Sequence, residues 1–241
     1  SDMPFPTVTL STGEEVRLDQ AAYSLHRASR NRDDRKLVFD RFWGAWKAYE
    51  TTLGQTLDTQ VKTHVFQAKV RRYDSALDAA LSGPNIPIAV YQKLIEAAHR
   101  HLPSLHRYFR LRQRMLGLDD LHYYDIYPPL VASQRTFDIA ESKALTLASA
   151  APLGNHYLEL LEKGFAGTWM HVYPQQGKAP GAYMYGDAYD VHPFLLLNHN
   201  GQFNDVSTFT HEWGHAIHTM LAQEHNPYET AGYATFTAEI A

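Results

Sequence analysis

The sequence predicts a mostly α-helical chain with a small β element set just before a histidine-bearing helix. Three observations carry that expectation. Apolar residues recur every three to four positions through the first two thirds of the chain. Near residue 168 the texture changes to short β-branched and aromatic stretches separated by Gly/Pro turns. Helical patterning then returns at Asp205 and runs through "THEWGHAIHTM" at 210–220. The chain thus reads as a helical region, 1–167, and a region of short strands, histidine helix and the start of a further helix, 168–241. With no repeat or low-complexity linker, the two are expected to form one continuous domain.

In "DRKLVFDRFWGAWKAYETTL" the apolar face is Val38, Phe42, Trp46, Tyr49 and Leu53. Its aromatic members read as core packing rather than a cofactor box. "VKTHVFQAKVRRYDSALDAAL" continues the pattern and stops at Gly83-Pro84. "IAVYQKLIEAAHRHL" is expected to end before Pro103, and Ser104 to cap a new helix that ends at Gly117. A further helical stretch covers about 137–164, broken near Pro152. "TWMHVYPQ", "AYMYGDAY" and "FLLLNHNG" read as short strands. Asp205 is the expected N-cap of "VSTFTHEWGHAIHTMLAQ". "EHNPYETAGY" is a turn, and "ATFTAEIA" begins a second helix.

Composition narrows the function. The formal net charge is −4, which gives nucleic acid no electrostatic footing. The 241 residues contain no cysteine, so any metal must be held by His, Asp and Glu. The longest apolar runs are short, such as "PFLLL" at 193–197, and none spans a membrane. "SDMPFPTVTL" lacks the features of a signal peptide. A cytoplasmic location is expected on these grounds.

His211 and His215 stand four residues apart, which on a helix puts them on one face and lets them converge on one ion. Glu212 sits beside the first. This is the HExxH pattern of zinc proteases, with Glu212 placed to act on a water. The third ligand is not at the metzincin position, where Leu221 stands, nor about twenty residues on, where Ala234 and Thr235 stand. Glu224 is nine residues beyond His215, more than about 10 Å along a continuing helix. Glu229 lies in the turn. Glu239, on the next helix, can be brought level with both histidines and is the expected third ligand.

Other polar residues read more plainly. His218 is two turns from His211 and suits a packing role better than a fourth ligand. Gly214 costs helix stability on a solvent face, so it argues for a packed environment. His171, His192 and His199 read as surface residues. "PFLLLN" is either an edge along which a peptide pairs or an ordinary buried strand. Gly177-Lys178 has no Walker spacing and is not a phosphate loop.

"HEWGHAIH" followed by "FTAEIA" at this spacing resembles oligoendopeptidase F, in the thimet oligopeptidase family of zinc metallopeptidases. The likeness extends in order through "LHRYFRLRQRMLGLDDLHYYDIYPPL", "WMHVYPQQGKAPGAY" and "NDVSTFTHEWGHAIH", covering the chain from about residue 4. It implies a helical zincin-type metallopeptidase body whose channel admits short peptides. It implies one Zn2+, with His211, His215 and Glu239 as ligands and Glu212 as general base, in the region 168–241. It also implies N- and C-terminal lobes of the same enzyme as partners. In the family the oxyanion-stabilising histidine and tyrosines lie C-terminal to the zinc site, whereas this sequence stops two residues past Glu239. The expectation is therefore a segment of a larger endopeptidase, weakly active or inactive alone. The alternative is a non-catalytic helical metal-binding fragment or scaffold.

Overall fold

The computed structural model describes residues 3–131 and 135–239. The chain is 59% helical with a few small sheets. It separates into two compact units, Pro4–Ala132 and Ser133–Ala241, the latter grouped with Ser1–Met3. The change of texture at 167/168 lies inside the second unit. It marks where strands begin, but the helices just before it pack on the helix that follows, so the chain divides earlier.

The first unit opens on a hairpin, β1 (Thr7–Thr9) and β2 (Glu15–Arg17), antiparallel with Val8 opposite Val16. Gly13, at φ +86°, makes the turn that an L side chain resists. The hairpin was not foreseen, because three-residue strands carry too little alternation to register. Helix α1 (Gln20–His26) and α2 (Arg32–Lys47) follow. The Asn31 side chain caps α2 by accepting the N–H groups of Asp33 and Asp34. Val38 and Phe42 are fully buried, and Phe42 stacks on Tyr23 at 4.1 Å. The helix stops at Ala48, and α3 (Glu50–Val70) starts separately. Tyr49 and Leu53 are consequently exposed rather than core.

Helix α4 (Ala76–Ser82) leads to α5 (Ile88–Met115), which runs through Pro103 without ending. The two helices expected on either side of that proline are one. A proline inside a helix forfeits one hydrogen bond at a cost of about 3 kcal/mol, and the twelve or more residues on each side outweigh it. Gly117, at φ +65°, closes α5 as foreseen: its N–H bonds to Arg114 O, and Leu118 N–H bonds to Gln113 O.

The second unit places α6 (Ile139–Ala150), a tight turn over Pro152, and α7 (Asn155–Ala166) ahead of the strands. Strands β3 (Met170–His171), β4 (Tyr183–Tyr185) and β5 (Phe194–Leu196) form a sheet in the order β3-β5-β4. β5 is the central strand, parallel to β3 and antiparallel to β4, so "PFLLLN" is not an edge. Helix α8 (Phe203–His225) carries the histidines. It starts two residues before the expected cap: Asp205 lies in the first turn, and its Oδ2 accepts the N–H groups of Asn200 and Gln202. The short α9 (Thr235–Ala238) follows, ending at Glu239. The rest of the second helix expected there, residues 240–241, lies outside the described residues. No helix among the described residues is long and apolar enough to cross a membrane.

Candidate metal centre

Helix α8 sorts its side chains by face. Phe209, Trp213, Ala216 and Ile217 are fully buried in the core of the second unit. Trp213 meets Phe165 edge-on at 4.9 Å. A Cβ added at Gly164 would lie 2.2 Å from the Trp213 ring, so only glycine lets α7 come this close. Gly214 is buried, as its presence beside the histidines suggested. The packing holds α8 rigidly and presents one remaining face, that of His211 and His215.

The Nε2 atoms of those two histidines are 3.0 Å apart. Glu239 Oε2 lies 3.6 Å from His211 Nε2 and 4.0 Å from His215 Nε2. Two ligands on a tetrahedral ion with bonds of 2.0–2.1 Å stand roughly 3.4 Å apart, so this triangle fits one zinc-sized cation with little movement. Donor chemistry agrees: two imidazoles and a carboxylate, with no thiolate available. These are also the three residues that approach one another closely enough to share an ion among the described residues. Their restraint differs. The His215 side chain is 13% exposed, His211 38% and Glu239 63%, so the carboxylate is the loosest of the three.

Charge is arranged for neutral imidazole. Burial holds His215 below the ordinary histidine value, and the neighbouring His211 pushes the same way, against Glu239. Neutral imidazole is the form that binds a cation. Glu212, next along the helix, is buried and faces β4, where it accepts the backbone N–H of Met184. Burial pushes its carboxyl above the usual carboxylate range, and the Glu239 charge adds to this. His211 and the Met184 N–H pull it down without prevailing.

The other histidines are placed as follows. His218 stacks on Tyr233 at 3.8 Å and stays outside the ligand triangle. His171 is exposed, and His192 stacks on Trp169 at 4.6 Å. His199 is not a surface residue: it is buried, its Nδ1 accepts Gly201 N–H, and its Nε2 meets Ser142 Oγ at 3.0 Å. Ser142 belongs to α6, so this histidine ties the loop before α8 to the helix beneath it. Lys178, in the turn rejected as a phosphate loop, donates to the carbonyls of His171, Tyr173 and Leu197. It pins the turn to β3 and the end of β5. Sequence reasoning missed this role, since a lysine in a Gly/Pro turn looks like any solvated charge.

Residues 25–241 match the family described as Peptidase family M3. The whole chain is 38% identical to Oligopeptidase PepF of Bacillus subtilis and covers 36% of that protein. It is likewise 38% identical to the chromosomal Oligoendopeptidase F of Lactococcus lactis subsp. cremoris, covering 40% of it. Among solved structures, oligoendopeptidase-F from Enterococcus faecium superposes with a TM-score of 0.59 at 29% identity. That match covers 93% of this chain and 35% of the other. The chain therefore spans well under half the length of the relatives it matches.

Proposed function

The chain belongs to peptidase family M3, and on that premise we propose that it carries the zinc-binding catalytic core of a metalloendopeptidase. Its substrates are short oligopeptides, cleaved at internal bonds, as the names of the relatives suggest. The observation that carries the reading is the triangle of His211 Nε2, His215 Nε2 and Glu239 Oε2, with the buried carboxyl of Glu212 on the same helix.

His211, His215 and Glu239 would hold one Zn2+. The ion supplies Lewis acidity toward a peptide carbonyl and lowers the pKa of water it binds. Glu212 is the general base. Its raised pKa makes it a better proton acceptor than an ordinary surface glutamate, and the Met184 N–H fixes its orientation. Once protonated, it can hand the proton to the departing amine. The buried face of α8 keeps both histidines in register while this happens.

Turnover by these residues alone is expected to be weak or absent. The loosely held Glu239 is one reason, and the family's oxyanion donors, which the resemblance places C-terminal to the zinc site, are the other. The N- and C-terminal lobes of a full-length enzyme would supply the rest of the channel. The test is cleavage of a quenched fluorescent peptide. Strong turnover by the 241-residue chain, abolished by Glu212→Gln, would contradict the weak-activity reading. Absence of turnover from a full-length enzyme carrying this segment and loaded with zinc would contradict the peptidase reading itself.

A further inference from the structure

A cavity of about 560 Å³ opens beside β4 and the C-terminal half of α8. Met184, Asp187, Tyr189, Thr219, Glu229 and Tyr233 line it. Met184 joins it to the metal centre, because the same residue gives its N–H to Glu212. Thr219 is seven residues beyond Glu212 on α8, so the cavity reaches roughly 10 Å along the helix from the general base.

The walls are built rather than incidental. Thr219 Oγ1 and Tyr233 OH share a hydrogen bond of 2.6 Å, and the Tyr233 ring is stacked on His218. Tyr189 OH donates to Asn226 O at 2.9 Å, and Gln223 Nε2 donates to Gly186 O and Ala188 O at 3.3 Å each. Gly186 must be glycine: a Cβ there would lie 2.7 Å from Thr219 Cγ2. The chemistry of the lining is one-sided. Asp187 and Glu229 are carboxylates, four tyrosines share the lining with them, and among the described residues no lysine or arginine lines the space. Among the described residues neither carboxylate is in an ion pair. Tyrosine faces and uncommitted carboxylates both favour a cation.

We propose that this cavity is a subsite for a positively charged group of the peptide substrate, an ammonium or a guanidinium. The proposal rests on the peptidase reading above. An extended peptide advances about 3.3 Å per residue, so the charged group sits two to three residues from the cleaved bond. A volume of this size holds one long side chain with its accompanying water.

The test is equilibrium binding of fluorescein-labelled, N-acetylated nonapeptides to the 241-residue chain, read by anisotropy. Each peptide carries one lysine, moved position by position, against a control with norleucine in its place. A matching peptide with a free α-amino group and no lysine shows whether the amine terminus or a side chain is the source of the charge. The expected result is a preference of at least about fivefold for the charged peptide at one position. The preference falls below about twofold in the Asp187→Asn/Glu229→Gln double variant, with norleucine-peptide affinity unchanged, and it survives in Asp187→Glu. No peptide binding, no charge preference, or a preference untouched by the double variant overturns the proposal. Zinc content of the same samples separates the two readings. Charge preference without zinc retention counts against the metal site and leaves the subsite standing; zinc retention without charge preference does the reverse.

Discussion

Two buried carboxylates, one in each compact unit, are handled in opposite ways. Asp125 in the first unit is fully buried, yet Arg35 Nη2 reaches its Oδ1 at 2.7 Å and Arg32 Nη2 its Oδ2 at 2.9 Å. Arg32 Nε and His122 N–H add two more donors. Burial alone would raise its pKa, but the hydrogen bonds from Arg32 and Arg35 outweigh that and hold it below the ordinary value. Glu212 in the second unit is also buried, with one backbone N–H and no arginine or lysine at hand among the described residues, and its pKa rises. A buried carboxylate saturated with cations is a structural tie; one left short of them is poised to take a proton.

The largest effect expected from this contrast is on catalysis. In a full-length enzyme carrying this segment, Glu212→Gln should lower peptide turnover by about two to four powers of ten, the usual worth of a general base. Zinc content should not change. Unfolding by urea should shift by less than about 1 kcal/mol, because no buried cation loses its partner. A large stability loss in Glu212→Gln would break the contrast and make Glu212 structural.

Asp125→Asn should do the opposite. It leaves the Arg35 guanidinium buried without its charge partner, a loss of about 3–5 kcal/mol in urea unfolding. Asp120→Asn removes an exposed partner shared by Arg32 and His122 and should cost less than about 1 kcal/mol.

Legibility in the sequence follows the same division. His211 and His215 could be paired because helical periodicity puts them on one face, with Glu212 beside them in the HExxH pattern; Glu239, on a separate helix, could be reached only by elimination among the downstream acidic residues. The strands before α8 announced themselves by β-branched and aromatic residues between turns. What stayed hidden depends on contacts between distant segments. Asp125 meets Arg35 across ninety residues, and no local pattern records it. His199 looked exposed because its partner Ser142 is fifty-seven residues away. Pro103 was over-read, since propensity yields to the length of the helix around it. Gly164 was overlooked, because its requirement comes from Trp213 on another helix.

That contact gives a smaller prediction, on the rigidity of the site. Gly164→Ala forces α7 away from α8 and should cost about 1–3 kcal/mol, with a change in tryptophan fluorescence. An unchanged stability would mean that α8 is held less firmly than the core suggests.

The smallest effect sharpens the comparison through pH, measured on metal-free protein. Asp125, with its pKa lowered by folding, contributes stability that is full above the unfolded carboxylate value of about 3.9 and lost as pH falls through the folded value. Glu212, with its pKa raised, contributes stability that is present below an unfolded value of about 4.3 and lost as pH rises through the folded one. Asp125→Asn should flatten the acid limb of the stability profile, and Glu212→Gln the limb just above it. Matching profiles in the two variants would erase the distinction.

The central claim is that His211, His215 and Glu239 form one metal site. The most direct test is elemental analysis of the chain after exhaustive dialysis at neutral pH, beside His211→Ala. The account predicts close to one zinc per chain, lost in the variant and released on acidification, as protons compete with the ion for the imidazoles. No retained zinc, or zinc that survives His211→Ala, would contradict it.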